Sequence, residues 1–123
     1  SAMQIANWLD SNPMVEKVLF PPLPNSEHYE NWKKYFTGGG SLMSVILDKK
    51  YEDEDLEKYF DGMEIFSMGY SWGGFESLAT PVRIQKERKS SLDQLKNTIV
   101  RIHVGLEDPE DLISDLDSAF KRL

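Results

Sequence analysis

The chain contains no cysteine. A disulfide framework and a thiolate site, whether nucleophile or metal ligand, are therefore excluded. Its two histidines, His28 and His103, stand far apart and in no metal-ligand spacing. No stretch approaches the roughly 18 apolar residues that a membrane-crossing helix needs, so no membrane partner is expected. Positive charge is scarce. Fourteen Lys and Arg face 21 Asp and Glu, giving a formal net charge of −7. Nucleic-acid binding requires a basic face, so no nucleic-acid partner is expected either. One basic cluster exists, Arg83, Lys86, Arg88 and Lys89, but Glu87 interrupts it and it reads as a solvated connection. No secretory signal is visible, and the expected compartment is the cytoplasm.

What is present suits a single domain of 123 residues, 40% of them hydrophobic. Ser1-Ala2-Met3 reads as a cloning remnant ahead of a natural start, which leaves residues 4–123 as the domain. Gln4 to about Ser11 reads as the end of a helix, stopped by Asn12-Pro13. Val15–Phe20 reads as a strand, ended by the prolines of Pro21-Pro22-Leu23-Pro24. Ser26 is placed to cap a helix through about Phe36, with Tyr29, Trp32 and Phe36 on one face. Ser41–Leu47 is apolar on both faces, the pattern of a central strand covered on each side. Asp53 is placed to cap a helix to about Phe60, with Gly62 as a left-handed terminator. Ile65–Met68 and Phe75–Leu78 read as extended segments on either side of a Gly73-Gly74 turn. Residues 82–97 are polar and irregular, and Thr98–Val104 is a strand. Asp108-Pro109-Glu110-Asp111 is a strong helix start, followed by an apolar stripe of Leu112, Ile113, Leu116, Ala119, Phe120 and Leu123. Lys121 and Arg122 suit the C-terminal end of that helix. This order predicts an α+β fold, a small and mostly antiparallel sheet with helices packed on one face.

Arg101 carries the clearest chemical signal. Strand side chains alternate, so Thr98, Val100, Ile102 and Val104 share one face, while Ile99, Arg101 and His103 share the other. A covered guanidinium needs a partner. It grips a planar carboxylate through two parallel hydrogen bonds, which an ammonium cannot do. The readings are a receptor for a ligand carboxylate, an internal ion pair, or simple exposure. The second signal is Ser71-Trp72-Gly73-Gly74, a tight turn between apolar segments. Its glycines let backbone approach a ligand, and Trp72 is placed to floor a pocket or to fill the core. Gly38-Gly39-Gly40 is not a phosphate loop, because no Lys-Ser/Thr follows. Glu107, Asp108, Glu110 and Asp111 read as helix-start acids, and His103, on the Arg101 face, as a structural histidine or one that supports the site from behind.

Tyr70-Ser71-Trp72-Gly73-Gly74-Phe75-Glu76-Ser77-Leu78 and Val100-Arg101-Ile102-His103-Val104-Gly105-Leu106-Glu107-Asp108 closely resemble the C-terminal domain of the Cys/Met-metabolism pyridoxal-phosphate enzymes. Within that family the likeness is greatest to the bacterial cystathionine β-lyase group, which is similar in carrying Trp after Ser71. The resemblance extends over His28–Leu47 and into Leu112–Phe120. It implies the C-terminal domain of the aspartate-aminotransferase-like, fold-type I architecture. It also implies that Arg101 pairs with the α-carboxylate of an amino-acid thioether substrate, with Ser71 and Trp72 lining the same pocket. The parent activity it implies is cleavage of a carbon–sulfur bond of cystathionine to homocysteine, pyruvate and ammonia, in methionine biosynthesis. Its cofactor would be pyridoxal 5′-phosphate, its assembly a homotetramer. A γ-synthase or γ-lyase, and a stand-alone ligand-binding module, remain the alternatives.

One departure from the family matters. The chain has ten lysines, none in the Ser-X-Thr-Lys setting that would form the Schiff base, and it has no cofactor-phosphate segment. Without that lysine the cofactor's chemistry has no anchor. The expectation is a substrate-carboxylate domain that works against its own large domain, with no cofactor and no activity by itself. The face it would turn to that domain, including the Arg101 pocket and the Gln4–Ser11 helix, is expected to be bare and prone to self-association.

Overall fold

A computed structural model describes residues 1–83 and 96–123. Within them the chain folds as α1 (Ala2–Asp10), β1 (Val15–Leu19), α2 (Tyr29–Tyr35), β2 (Leu42–Leu47), α3 (Asp53–Asp61), β3 (Ser67–Met68), β4 (Leu78–Pro81), β5 (Ile99–His103) and α4 (Pro109–Phe120). The five strands form one sheet in the order β1-β2-β5-β4-β3. Three of its four pairings are antiparallel and only β3–β4 is parallel. This is the α+β sheet that the order of elements predicts. The polar segment assigned to 82–97 lies mostly outside the described residues.

Alternation along the strands decides which side is core. Met43, Val45 and Leu47 of β2 point the same way as Val100 and Ile102 of β5, and all five are at most 2% exposed. Against them pack Ile5, Ala6 and Leu9 of α1, Tyr59 and Phe60 of α3, and Leu112, Leu116, Ala119 and Phe120 of α4. Phe120 sits at the helix junction, its ring 5.4 Å from Tyr59 and 6.1 Å from Trp8. The opposite side of β2 is covered only in part. Ile46 is buried but Leu42 is 42% exposed, because α1, α3 and α4 all pack on the other face. Two apolar faces in a strand sequence report a demand for cover, not what supplies it.

Several termini differ from the pattern reading. α1 begins at Ala2, so residues set apart as a cloning remnant extend it, and the Ile5 N–H donates to the Ser1 carbonyl (3.1 Å). Ser26 does not cap α2. Its hydroxyl accepts from the His28 N–H (3.3 Å) and the helix starts a turn later, burying none of its residues. Tyr29 and Trp32 stack on each other at 5.8 Å, while Phe36 stays exposed. α3 is preceded by Glu52, and Asp53 is already helical. Gly62 closes α3 in the right-handed region (φ −88°), not the left-handed one. Its lack of a side chain serves another purpose, since a Cβ there would lie 2.3 Å from the Arg122 Nε. That guanidinium donates to the Lys58 carbonyl (3.0 Å), satisfying the end of α3 and not that of its own helix.

At the other end of α4, Asp108 caps as expected, accepting from the Glu110 N–H (2.8 Å) ahead of Pro109. About two turns further on lies a residue that no cap or stripe argument singles out. Asp115 is 7% exposed, and its two oxygens accept from the backbone N–H groups of Glu64, Ile65 and Phe66 at 2.9–3.0 Å. It ties the approach to β3 onto α4. We expect Asp115→Ala to lower the unfolding free energy by about 3 kcal/mol or more, since three donors lose a charged acceptor. Denaturant titration of this chain measures it, and a change under about 1 kcal/mol would mean that the three amides are rehydrated freely.

Candidate functional site

The parallel pairing of β3 and β4 shapes the site. Parallel neighbours require the connecting chain to travel back to the starting end of the sheet. Here that return is residues 69–77, which carry Ser71, Trp72 and the two glycines. They run beside β5 and its extension, and are fastened there at intervals of two residues.

Arg101 Nη2 donates to the Tyr70 carbonyl. His103 comes next on the same face. Its Nδ1 accepts from the Gly73 N–H (3.4 Å) and lies 3.1 Å from the Ser41 hydroxyl, while its Nε2 lies 3.2 Å from the Gly74 carbonyl. A carbonyl can only accept, so Nε2 carries the proton and Nδ1 is the bare acceptor. Beyond the strand, the Leu106 N–H donates to the Phe75 carbonyl (2.8 Å) and the Gly105 N–H to the Ser77 hydroxyl (2.9 Å). Glu107 closes the row, accepting from both the N–H and the hydroxyl of Ser77 at 2.8 Å. Gly73 takes φ +80°, the one positive φ among the described residues. Gly105 is needed for closeness, because a Cβ would stand 2.2 Å from the Phe75 carbonyl oxygen.

Arg101 thus fastens the loop at Tyr70, and Ser71 and Trp72 follow that anchor directly in the chain. Arg101 sits on the middle strand of the sheet, with Ser44 of β2 and Thr80 of β4 as its lateral partners. It is half-buried, and among the described residues no carboxylate lies within 4.0 Å of it. Trp72 is not a core residue. It is 67% exposed, between Tyr70 at 72% and Phe75 at 70%. His103, by contrast, is 2% exposed.

Glu107 corrects the sequence reading. It is not one of the helix-start acids but a clamp on the loop. The missed signal was its spacing, since 101, 103, 105 and 107 continue one alternating face past the end of the strand. Ser77 has no distinctive pattern of its own. Burial pushes the Glu107 carboxyl up, but the hydrogen bonds from Ser77 and from its own N–H outweigh that and hold it below its ordinary 4.5. A carboxyl depressed in the fold stabilises it fully above the unfolded value, and that stability is lost as pH falls through the folded value. Glu107→Gln should therefore start from a lower melting temperature and show a shallower decline below about pH 4.5 than the parent. Calorimetric scans stepped into acid check this, and parallel curves would show that Glu107 is not the titrating clamp. Gly105→Ala should cost about 1–3 kcal/mol in the same scans, because backbone and not a flexible side chain must yield.

A model of the Cys/Met metabolism PLP-dependent enzyme family matches residues 1–121. The chain belongs to that family. It is 44% identical to cystathionine beta-lyase MetC of Escherichia coli (strain K12), over all of this chain and 32% of that protein. It is 43% identical to L-alanine/L-glutamate racemase of Wolbachia pipientis wMel, over all of this chain and 31% of that protein. The crystal structure of metB from Corynebacterium glutamicum superposes with a TM-score of 0.78 at 32% identity, covering 98% of this chain and 31% of that one. The chain spans about a third of the length of the relatives it matches, in their C-terminal region.

The family implies pyridoxal phosphate. The residues here do not fit the cofactor's anchor. Every described lysine (Lys17, Lys33, Lys34, Lys49, Lys50, Lys58, Lys96 and Lys121) is exposed, whereas a Schiff-base lysine needs a desolvated setting. Among the described residues no group of three His, Asp or Glu is placed to hold a metal, and no helix is long and apolar enough to cross a membrane.

Proposed function

We propose that this chain is the substrate-carboxylate part of a pyridoxal-phosphate-dependent carbon–sulfur lyase that cleaves cystathionine by β-elimination. The observation that carries the proposal is the half-buried Arg101 guanidinium on the middle strand, with no carboxylate beside it among the described residues and with the Trp72 loop fastened at its side. One of its nitrogens holds the Tyr70 carbonyl. The guanidinium has five N–H donors, so a carboxylate can still be bound bidentately. In this reading Arg101 fixes the α-carboxylate of an amino-acid thioether, Ser71 lines the pocket, and Trp72 shields it from water. These three residues bind and orient. The cofactor and the lysine that anchors it belong to segments outside these 123 residues, in a large domain that completes the site. The chain alone is accordingly inactive. The intact protein would work in the cytoplasm, in methionine biosynthesis, as a homotetramer.

In the full-length enzyme, Arg101→Ala should raise KM for the amino-acid substrate, with a loss in kcat/KM equivalent to about 2–5 kcal/mol. Arg101→Lys should recover only part of it, because an ammonium keeps the charge but not the fork. Steady-state kinetics measure both, and an unchanged KM in Arg101→Ala would refute the carboxylate role.

The reaction itself has rivals. Human cystathionine gamma-lyase is 35% identical over 98% of this chain, and the Wolbachia racemase stands as near as the β-lyases. Trp72 favours the β-lyase. Product analysis separates them, with pyruvate and homocysteine expected from cystathionine. Formation of 2-oxobutyrate, or racemisation of alanine or glutamate without elimination, would reassign the chemistry while leaving Arg101 its role.

A further inference from the structure

We propose that His103 is a positioning residue for substrate binding, one that holds the Ser71-Trp72 pair in place through the turn that follows it. The inference rests on the carboxylate reading above and deepens it. His103 contributes nothing to the surface, being 2% exposed, and its ring is spent on three polar contacts, all at the loop or beside it. Two of these are to backbone atoms of consecutive residues, the Gly73 N–H and the Gly74 carbonyl. A peptide segment held at both a donor and an acceptor by one rigid ring has its rotation fixed as well as its position. Gly73 makes that grip matter. With φ +80° and no Cβ it has more backbone freedom than any other residue type, so the turn has little local preference for one shape. Ser71 and Trp72, mostly exposed, have few contacts of their own to hold them.

The grip depends on which nitrogen is protonated. Only the Nε2–H tautomer lets one ring donate to the Gly74 carbonyl while accepting from the Gly73 N–H. The Ser41 hydroxyl, 3.1 Å from Nδ1, is able to donate to the same bare nitrogen and so is compatible with this tautomer. Ser41 immediately precedes β2, and Leu42 is registered opposite His103, so the sheet pairing brings it there. Arg101 and His103 thus divide the work on one strand face. The first meets the ligand, and the second sets the walls around it.

The test uses the full-length holoenzyme with four variants. His103→Ala should raise KM for the amino-acid substrate roughly tenfold, with kcat held within about threefold. His103→Asn keeps a short acceptor near the Nδ1 position and should restore most of the affinity. His103→Leu fills the space without polarity and should not. A normal KM in His103→Ala, or equal rescue by Leu and Asn, would overturn the proposal, the latter because packing alone would then suffice. Should the alanine variant fail to fold, the Asn and Leu pair decides by the same split between KM and kcat. Arg101→Ala run in parallel separates two failures. If it raises KM while the His103 variants do not, only the positioning role falls. If neither moves KM, the carboxylate reading falls with it.

Discussion

The two-residue repeat of β5 is the constraint on which the rest depends. One of its faces, Val100 and Ile102, is locked into the core against β2 and three helices. The other, Arg101 and His103, therefore has no freedom to turn inward, because a slip of one residue would exchange the two faces completely. Continued beyond the strand, the same repeat delivers Gly105 and Glu107 to the loop. Hydrophobic packing on one side thus sets the geometry of a polar row on the other. The core and the site are not separate features of this domain. They are the two faces of one strand.

The loop gains its shape from this row and not from its own sequence. Residues 69–77 include three glycines, and the large side chains they carry point mostly into solvent. Such a segment cannot bury enough to order itself, and ordering costs about 1–2 kcal/mol per residue in backbone entropy. Anchors at Tyr70, Gly73, Gly74, Phe75 and Ser77 replace burial with hydrogen bonds, several of them charge-assisted. This explains why two of the shared face's polar residues, His103 and Glu107, are turned toward backbone and not toward solvent.

The sequence displayed the fold well where chemistry is local. Strand alternation in Thr98–Val104, the Asp108-Pro109 helix start and the apolar stripe of α4 all follow from nearest-neighbour rules, and each holds. Ends that depend on distant partners were not legible. Gly62 answers to Arg122, sixty residues away, and Asp115 answers to amides some fifty residues earlier in the chain. A carboxylate on a polar helix start looks the same whether it caps its own helix, like Asp108, or clamps a loop, like Glu107. Arg101 stood out because a charge in an apolar strand violates the local pattern. His103 and Ser77 violate nothing, so only the folded backbone reveals what they hold.

The loop that Arg101 fastens at Tyr70 carries three exposed aromatic rings. Tyr70, Trp72 and Phe75 are each about two-thirds exposed or more. In open water a guanidinium–carboxylate pair at 4 Å gains only about 1 kcal/mol, against about 4 kcal/mol at the effective dielectric of a partly covered site. A cover laid over the loop at Tyr70, whose carbonyl Arg101 holds, would remove water from such a pair as well. Binding of an acid at Arg101 and covering of the loop are then mutually reinforcing, since each is worth more once the other has occurred. A half-buried cation of this kind would hold an acid weakly in open water and more firmly once water is excluded from it.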